Sequence, residues 1–512
     1  MISPEIPDTI WPCFAMTREV NDIVHGVIKL PHPLTDVIDT AEFQRLRHLQ
    51  QLGVGARVYP SANHTRFEHS LGVGYLAGKM VGKLMRRQPE LGITEVDRLC
   101  VSLAGLCHDL GHGPFSHLFD QFVLQRKPNS KWTHEFGSIQ MFDLLLENNP
   151  DVNHTLRTIL TDRDFIFIKE CIYGPLDDGN GTDKKGEYRY KGRPIDKSFL
   201  YDIVSNKHDG LDVDRFDYML RDSLLSGVAI TFNKLGLKRL LSMARVFYSE
   251  LDGCRRICYA EKAKTELEAV GSTRFHLHKV LYQHKTARAC ELIVVELLAA
   301  ADDVLRFEGK DKKMYRMSEA VEDMQAYYRL DDSVLRTIEN STDDRLKEAK
   351  RLLADLNRRR IPHLIGMTMF TSDCLPTDDV IAQRIAERSD GAFQPSDLIV
   401  NSTYVHRGMG RVNPLECVLV YSDHKDVRAN RTVHPLSSDH FRGEIPTDFG
   451  VRYLWVFCPS HKDDAFKKVA YEAFKHWCTN LSLTPIKRAL SANTNAVLPA
   501  KRPRTNLDKI FD

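Results

Sequence analysis

The chain has 512 residues, 42% apolar and 27% charged, with 71 Lys and Arg against 69 Asp and Glu and a net charge of +2. Length and composition fit a globular protein of two or three domains, and the balanced charge excludes a global electrostatic drive toward nucleic acid, so any anion site must be a local concentration of cations. Eleven scattered cysteines without CxxC spacing read as reduced thiols of a cytosolic or nuclear protein. The first residues do not form a signal peptide, and the most apolar run, 292–301, is broken by Glu296, so no membrane span is expected.

Residues 17–32 alternate around Asn21-Asp22 and His25-Gly26, which predicts a short hairpin. Residues 35–51 predict a helix with Val37, Ile38, Phe43, Leu46 and Leu49 on its apolar side. Asp39, Gln44, Arg45, Arg47 and Gln51 fall on its polar side. Residues 57–69 predict a loop entering a second helix, whose start carries Arg66 and His69 on one face. Gly72, Gly74, Ala77 and Gly78 follow and permit close helix contact.

Residues 95–110 predict a buried helix that ends on adjacent His108-Asp109 and is stopped by Gly111, Gly113 and Pro114. A single His-Asp pair in that place is ordinarily a helix end with a favourable histidine. Here 106–120 holds three histidines and two aspartates in fifteen residues, which favours a site. Another helix opens near Thr133 with His134-Glu135 in its first turn, 151–169 is helical, and 173–197 is a charged, glycine-rich surface loop.

On a helix over 212–222, Asp214, Tyr218 and Asp222 form one stripe; a helix over about 261–305 aligns Arg274, His278, Tyr282 and Lys285. Either stripe alone would be an ordinary solvated face. Residues 317–359 read as helical, then 397–406, 416–422 and 451–458 as strands and 464–481 as an amphipathic helix. The expected divisions are an N-terminal extension (1–16), a catalytic core (17–305), a helical connector and interface region (306–394), an α+β lobe (395–484) and a disordered basic tail (485–512). The fold class is mainly α, a helical core with a smaller α+β C-terminal lobe.

His69, His108, Asp109 and Asp214 make a mixed N/O donor set suited to iron, manganese, zinc or magnesium. A metal there can lower the pKa of water to about 7 and neutralise charge on a phosphoryl group. His112, His117 and His134 are candidate proton donors, with Asp120 to orient one of them. Arg66, Arg215, Arg274 and Lys285 suit a polyphosphate, and Tyr218 and Tyr282 a sugar or base. No P-loop or GxGxxG motif offers a rival nucleotide site.

His69, His108-Asp109 and Asp214 resemble the H…HD…D signature of HD-domain metal-dependent phosphohydrolases. The surrounding words are more specific: Asp39-Thr-Ala-Glu-Phe-Gln-Arg-Leu-Arg47, Arg66-Phe-Glu-His-Ser-Leu-Gly-Val-Gly74, His108-Asp-Leu-Gly-His-Gly-Pro-Phe-Ser-His117, Asp212-Val-Asp214 and Tyr282-Gln-His-Lys285. Together, from about Arg18 to Cys478, they resemble the family of animal SAM-and-HD-domain deoxynucleoside triphosphate triphosphohydrolases.

The resemblance implies an HD-domain helical core and cleavage of a dNTP to deoxynucleoside and inorganic triphosphate by metal-hydroxide attack at the α-phosphorus. It implies His69, His108, Asp109 and Asp214 as ligands of iron, zinc or manganese, with magnesium in addition. His112, His117, Asp120 and His134 become the catalytic group, with His117 as leaving-group acid. Arg66, Arg215, Tyr218, Asp222, Arg274, Tyr282 and Gln283 line the substrate, with Gln51 and Leu52 near the sugar 3′-hydroxyl. Arg215 stands where the vertebrate enzyme has lysine.

The same resemblance implies GTP and dNTP activators bound between subunits, turning a dimer into a homo-tetramer. Asp39, Gln44 and Arg47 match guanine-reading positions; Arg18, Asn21, Arg239, Lys262 and Arg359 match or approximate other activator positions. Ala260 and His363 replace an arginine and a lysine of the vertebrate enzyme, so weaker activation by dNTP is expected. No SAM domain is expected ahead of the core, since about sixteen residues precede it. Thr484-Pro-Ile-Lys487 resembles a proline-directed kinase site and Lys501-Arg-Pro-Arg504 a nuclear-import signal, so residence in nucleus or cytoplasm is expected, with control of dNTP pools and antiviral defence as roles. The alternatives are another HD nucleotide phosphohydrolase, which would not need Asp39 to Arg47, and an oligomer that binds single-stranded nucleic acid, which would not need metal ligands.

Overall fold

The computed structural model describes residues 17–176, 188–370, 376–422, 433–437, 448–481, 483 and 485. The expected N-terminal extension, the glycine-rich middle of the 173–197 loop, Thr484 and nearly all of the basic tail lie outside the described residues.

The predicted hairpin forms from Thr17–Asp22 and Gly26–Pro31, paired in antiparallel register with Asn21 opposite Val27. Its turn is tied by Asp22, whose carboxylate accepts from the backbone N–H groups of Val24 and His25. The single helix expected over 35–51 is three short pieces, Leu34–Ile38, Ala41–Gln44 and the 3₁₀ turn Arg45–His48. The break falls at Thr40, whose hydroxyl accepts from the Phe43 N–H and so starts a new helix.

The centre of the fold is the pair of helices Arg66–Arg87 and Glu95–Cys107, each opened by a capping box, Thr65 with Glu68 and Thr94 with Asp97. Small residues set their approach. A Cβ on Gly105 would lie 3.0 Å from the Gly74 Cα, so side chains on both would hold the helices apart. Both helices are almost wholly buried. His117–Arg126, His134–Asn148, Asp162–Tyr173, Val213–Ser226, Lys264–Leu277 and Lys285–Asp302 complete the helical framework around them.

Contacts divide the chain into two units, Met1–Pro362 with Tyr404–Val451 and His363–Thr403 with Arg452–Asp512. This differs from boundaries at 305/306 and 394/395. The helix Lys347–Asn357 packs on Lys285–Asp302, so the expected connector is divided, with 306–362 in the larger unit and 363–394 in the smaller. Leu419–Tyr421 pairs in parallel with Cys254–Ala260, which returns part of the expected lobe to the larger unit as well. The smaller unit starts at strand His363–Phe370, which pairs with Gly450–Cys458 in a three-stranded sheet completed by Ile399–His406. Helices Asp378–Ala386 and Asp464–Asn480 pack within that unit around Phe474 and Trp477. Such pairings join segments far apart in sequence, and a local periodicity does not encode them. The architecture is mainly α with a smaller α+β unit. Among the described residues, no helix is long and apolar enough to cross a membrane.

Candidate metal centre and catalytic cavity

His69 lies in the first turn of Arg66–Arg87, His108 is the C-cap residue of Glu95–Cys107, and Asp214 lies in the first turn of Val213–Ser226. Three helix termini therefore meet at one point. His69 Nε2 is 3.0 Å from Asp214 Oδ1 and 3.6 Å from Asp109 Oδ2. His108 Nε2 is 3.4 Å from both Asp109 Oδ1 and Asp214 Oδ1.

The tautomers are fixed from behind. His69 Nδ1–H donates to Asp217 Oδ2 at 2.7 Å, and His108 Nδ1–H donates to the Gly105 carbonyl at 2.8 Å. Both Nε2 lone pairs are thereby free to face the carboxylates, the arrangement that metal-bound imidazoles require. His108 Nε2 is buried with no hydrogen-bond partner in the protein, which is what a ligand nitrogen looks like before a cation is counted. Burial pulls the His69 imidazole down, but Asp214 and Asp217 outweigh it and hold its pKa up at about 10. A cation in place of the Nε2 proton satisfies the same carboxylates. His69, His108 and Asp214 each offer a ligand atom within 4.8 Å of the others, Asp109 stands beside both imidazoles at 3.4 and 3.6 Å, and this mixed N/O set fits a divalent metal ion.

Asp109 is shared between roles. Burial alone would raise its pKa, but Arg66, to which it is ion-paired, holds it well below the usual carboxylate range. Arg66 Nε also donates to Ser116 Oγ at 2.8 Å, and Ser116 Oγ–H to the Gln50 carbonyl at 2.7 Å. Phe115 and Ser116 both adopt φ of 60°, a strained state for side-chain-bearing residues. Asp332 stabilises this turn by accepting from the Phe115 and Gln50 N–H groups. The turn aims His117, the first residue of His117–Arg126, toward the cavity, with its side chain 69% exposed.

His112, His117, Asp120 and His134 form a second cluster. His134 Nδ1 is 2.9 Å from Asp120 Oδ2, the rings of His112 and His134 stack at 4.0 Å, and His117 Nδ1 is 3.8 Å from Asp120 Oδ2. Burial lowers the His134 pKa, but Asp120 more than compensates and raises it. His112 is pushed far down by burial and by the Arg66 and His134 charges. The pKa values of the two stacked imidazoles are thus pushed apart, His134 upward and His112 downward.

Both clusters open on a cavity of about 380 Å³. Of the expected substrate residues, Gln51, Leu52, Arg66, Tyr218, Asp222, Arg274, Tyr282 and Gln283 line it. Asp222 is fixed by the Tyr282 hydroxyl at 2.7 Å and His64 Nε2 at 2.8 Å. Two expected residues are not in the lining. Arg215 packs its guanidinium over Gly210 and Gly408, where a Cβ would come within 2.5 and 2.6 Å of it. Lys285 is outside the lining, and the expected long helix is interrupted by the π-turn His278–Tyr282 and the non-helical Gln283, after which His284 caps Lys285–Asp302.

The expected activator residues lie outside this cavity. Arg18 forms two hydrogen bonds of 2.6 Å to Asp39, Gln44 Nε2 donates to the Ile38 carbonyl, and Arg47 donates to Gln44 while covering the Phe67 ring. Asn21 is on the adjacent hairpin strand. Arg239 pairs with Glu266 at 2.7 Å, Lys262 sits in the 3₁₀ turn Glu261–Ala263, and Arg359 donates to the Arg57 carbonyl.

The sequence reading missed the layer behind the metal centre. Asp217, wholly buried, accepts from His69 and also pairs with His25 Nε2 at 2.6 Å and with Arg221, which in turn holds Asp22. The i, i+4 spacing of Asp217 and Arg221 was visible; their burial against His69 and the hairpin turn was not.

The HD domain model matches residues 66–164. The deoxynucleoside triphosphate triphosphohydrolase SAMHD1 of Homo sapiens is 39% identical over 479 residues, which cover 91% of this chain and 74% of the relative. SAMHD1 of Danio rerio is 38% identical, with the same shares covered. The SAMHD1 homolog of Dictyostelium discoideum is 31% identical over 93% of this chain and 84% of the relative. With an HD-type donor set, a catalytic cavity beside it and relatives matched across nearly its whole length, the chain belongs to the SAMHD1 family of HD-domain hydrolases.

Proposed function

We propose that the chain hydrolyses deoxynucleoside triphosphates to deoxynucleoside and inorganic triphosphate in this cavity. The observation that carries the reading is the meeting of the His69/His108/Asp109/Asp214 donor set with the His112/His117/Asp120/His134 group around one cavity that also holds Arg274. A divalent ion on the first set supplies Lewis-acid stabilisation of phosphoryl charge and acidifies water.

The protein's own groups supply the rest. Arg66, held on Asp109 and Ser116, and Arg274, whose guanidinium donates to the His406 carbonyl, place positive charge beside a triphosphate. Arg215 contributes charge from behind the lining. Gln51 and Gln283 each have a buried side-chain oxygen without a partner, suited to accept from a sugar hydroxyl or base N–H. Leu52, Tyr218 and Tyr282 give apolar and aromatic walls, and Asp222 holds the Tyr282 ring in place. His117 gives a proton to the departing O5′, and the Asp120–His134 pair sits at its side, with the His134 ring in edge-to-face contact with it.

The finer reading is iron, zinc or manganese at the His/Asp set with magnesium on the triphosphate. GTP and dNTP activators between subunits would convert dimers to tetramers. The grouping of Arg18 with Asp39 and of Gln44 with Arg47, outside the cavity, supports a separate nucleotide surface.

Incubation of purified protein with each dNTP, with and without GTP, is expected to release deoxynucleoside and triphosphate. Chelation of the metal is expected to abolish turnover and re-addition to restore it. Release of pyrophosphate or monophosphate would overturn the reading.

A further inference from the structure

The His112/His117/Asp120/His134 group has more donor capacity than proton transfer uses. Its four donor atoms, one from each residue, lie within 4.8 Å of one another. His112 Nδ1 and Asp120 Oδ1 are buried and have no hydrogen-bond partner. Asp120 Oδ2 stands 2.9 Å from His134 Nδ1 and 3.8 Å from His117 Nδ1. Adjacent ligands on a tetrahedral ion with bonds of about 2.0–2.1 Å are about 3.3 Å apart, so small side-chain movements close this set on one ion. His117 is the adjustable member because it is exposed, whereas His112 is fixed at 1% exposure by its place beside Asp109. The Arg66 guanidinium beside the group is ion-paired with Asp109.

We propose that His112, His117, Asp120 and His134 form a second, inhibitory metal site that takes a zinc-type cation, separate from the His69/His108/Asp109/Asp214 centre. Three imidazoles and one carboxylate suit zinc(II), whereas magnesium prefers oxygen ligands and keeps its waters. The inhibition rests on the reading of these side chains as the proton-transfer group. A bound cation takes the imidazole lone pairs and releases to solvent any proton they carry. No proton then remains for the leaving oxygen.

The test is a zinc titration of the full chain whose first metal site is already filled. Bound metal is counted by elemental analysis after gel filtration, with the absorption bands of cobalt(II) as a report of tetrahedral coordination. The expected result is a second equivalent bound, with dNTP hydrolysis falling in step. His117→Ala, at an exposed position, should weaken the second equivalent at least tenfold and leave the first intact; Asp120→Asn should weaken it as well. A stoichiometry that stays at one, or second-site affinity unchanged in both variants, would overturn the proposal. If the one-metal protein does not hydrolyse dNTPs, the functional reading fails, and the metal count still decides the site.

Discussion

At the scale of single residues, the candidate metal-ligand cluster of His69, His108 and Asp214 is legible because its signal is local. His108-Asp109 sits at a helix end marked by two glycines and a proline, and Asp214 sits two residues after an N-capping Asp212. The group behind them was not legible, because it depends on which helix faces which. Asp217 shows the cost of that gap. It fixes the His69 tautomer from a wholly buried position while also pairing with His25 Nε2 and Arg221. Replacing such an outer-shell partner lowers metal affinity about 10–100-fold. Asp217→Asn should therefore lose bound metal on dilution and regain turnover at high metal concentration. Asp214→Asn should stay inactive at every concentration. Metal content and the metal dependence of kcat, measured in parallel, separate the two.

At the scale of elements, the helices with strong apolar periodicity and caps appeared where expected, including Glu95–Cys107 and the helix started by Thr133. The failures were at breaks. The π-turn at His278–Tyr282 lets Tyr282 and Gln283 reach the cavity, and a regular helix would not have placed Gln283 beside it. Gly72 and Gly74 of Arg66–Arg87 are points of close approach, and the nearest neighbour of Gly72 belongs to Val213–Ser226. A Cβ on Gly72 would fall 2.0 Å from Asp217 Oδ1. Gly72→Ala must therefore push Asp217 away from His69. The expected cost is about 1–3 kcal/mol of stability, as for other overpacked cores, together with weaker metal binding. Thermal denaturation with and without metal checks both effects; a fully stable variant with normal metal affinity would contradict the geometry.

At the scale of the whole molecule, the mainly helical class was readable from periodicity, but the division into units was not. Strand His363–Phe370 and the parallel pairing of Leu419–Tyr421 with Cys254–Ala260 are long-range events. Regulation belongs to this scale too. Under the dNTP activation proposed above, Ala260 and His363, which stand where the vertebrate enzyme has arginine and lysine, should raise the activating dNTP concentration. Ala260→Arg with His363→Lys is expected to lower the activating dNTP concentration. Because Ala260 is 4% exposed, thermal stability is read alongside to separate charge from misfit. An activation curve unmoved in a folded double variant would contradict this account.

In the proposed reaction, water attacks the α-phosphorus at the end of the cavity that carries the His/Asp donor set, and the O5′ oxygen leaves with the deoxynucleoside. Single-turnover hydrolysis of a dNTP in ¹⁸O-labelled water, with mass analysis of both products, tests it directly. The account predicts label in the inorganic triphosphate and none in the deoxynucleoside. Label in the deoxynucleoside, or its appearance in pyrophosphate beside a nucleoside monophosphate, would contradict it.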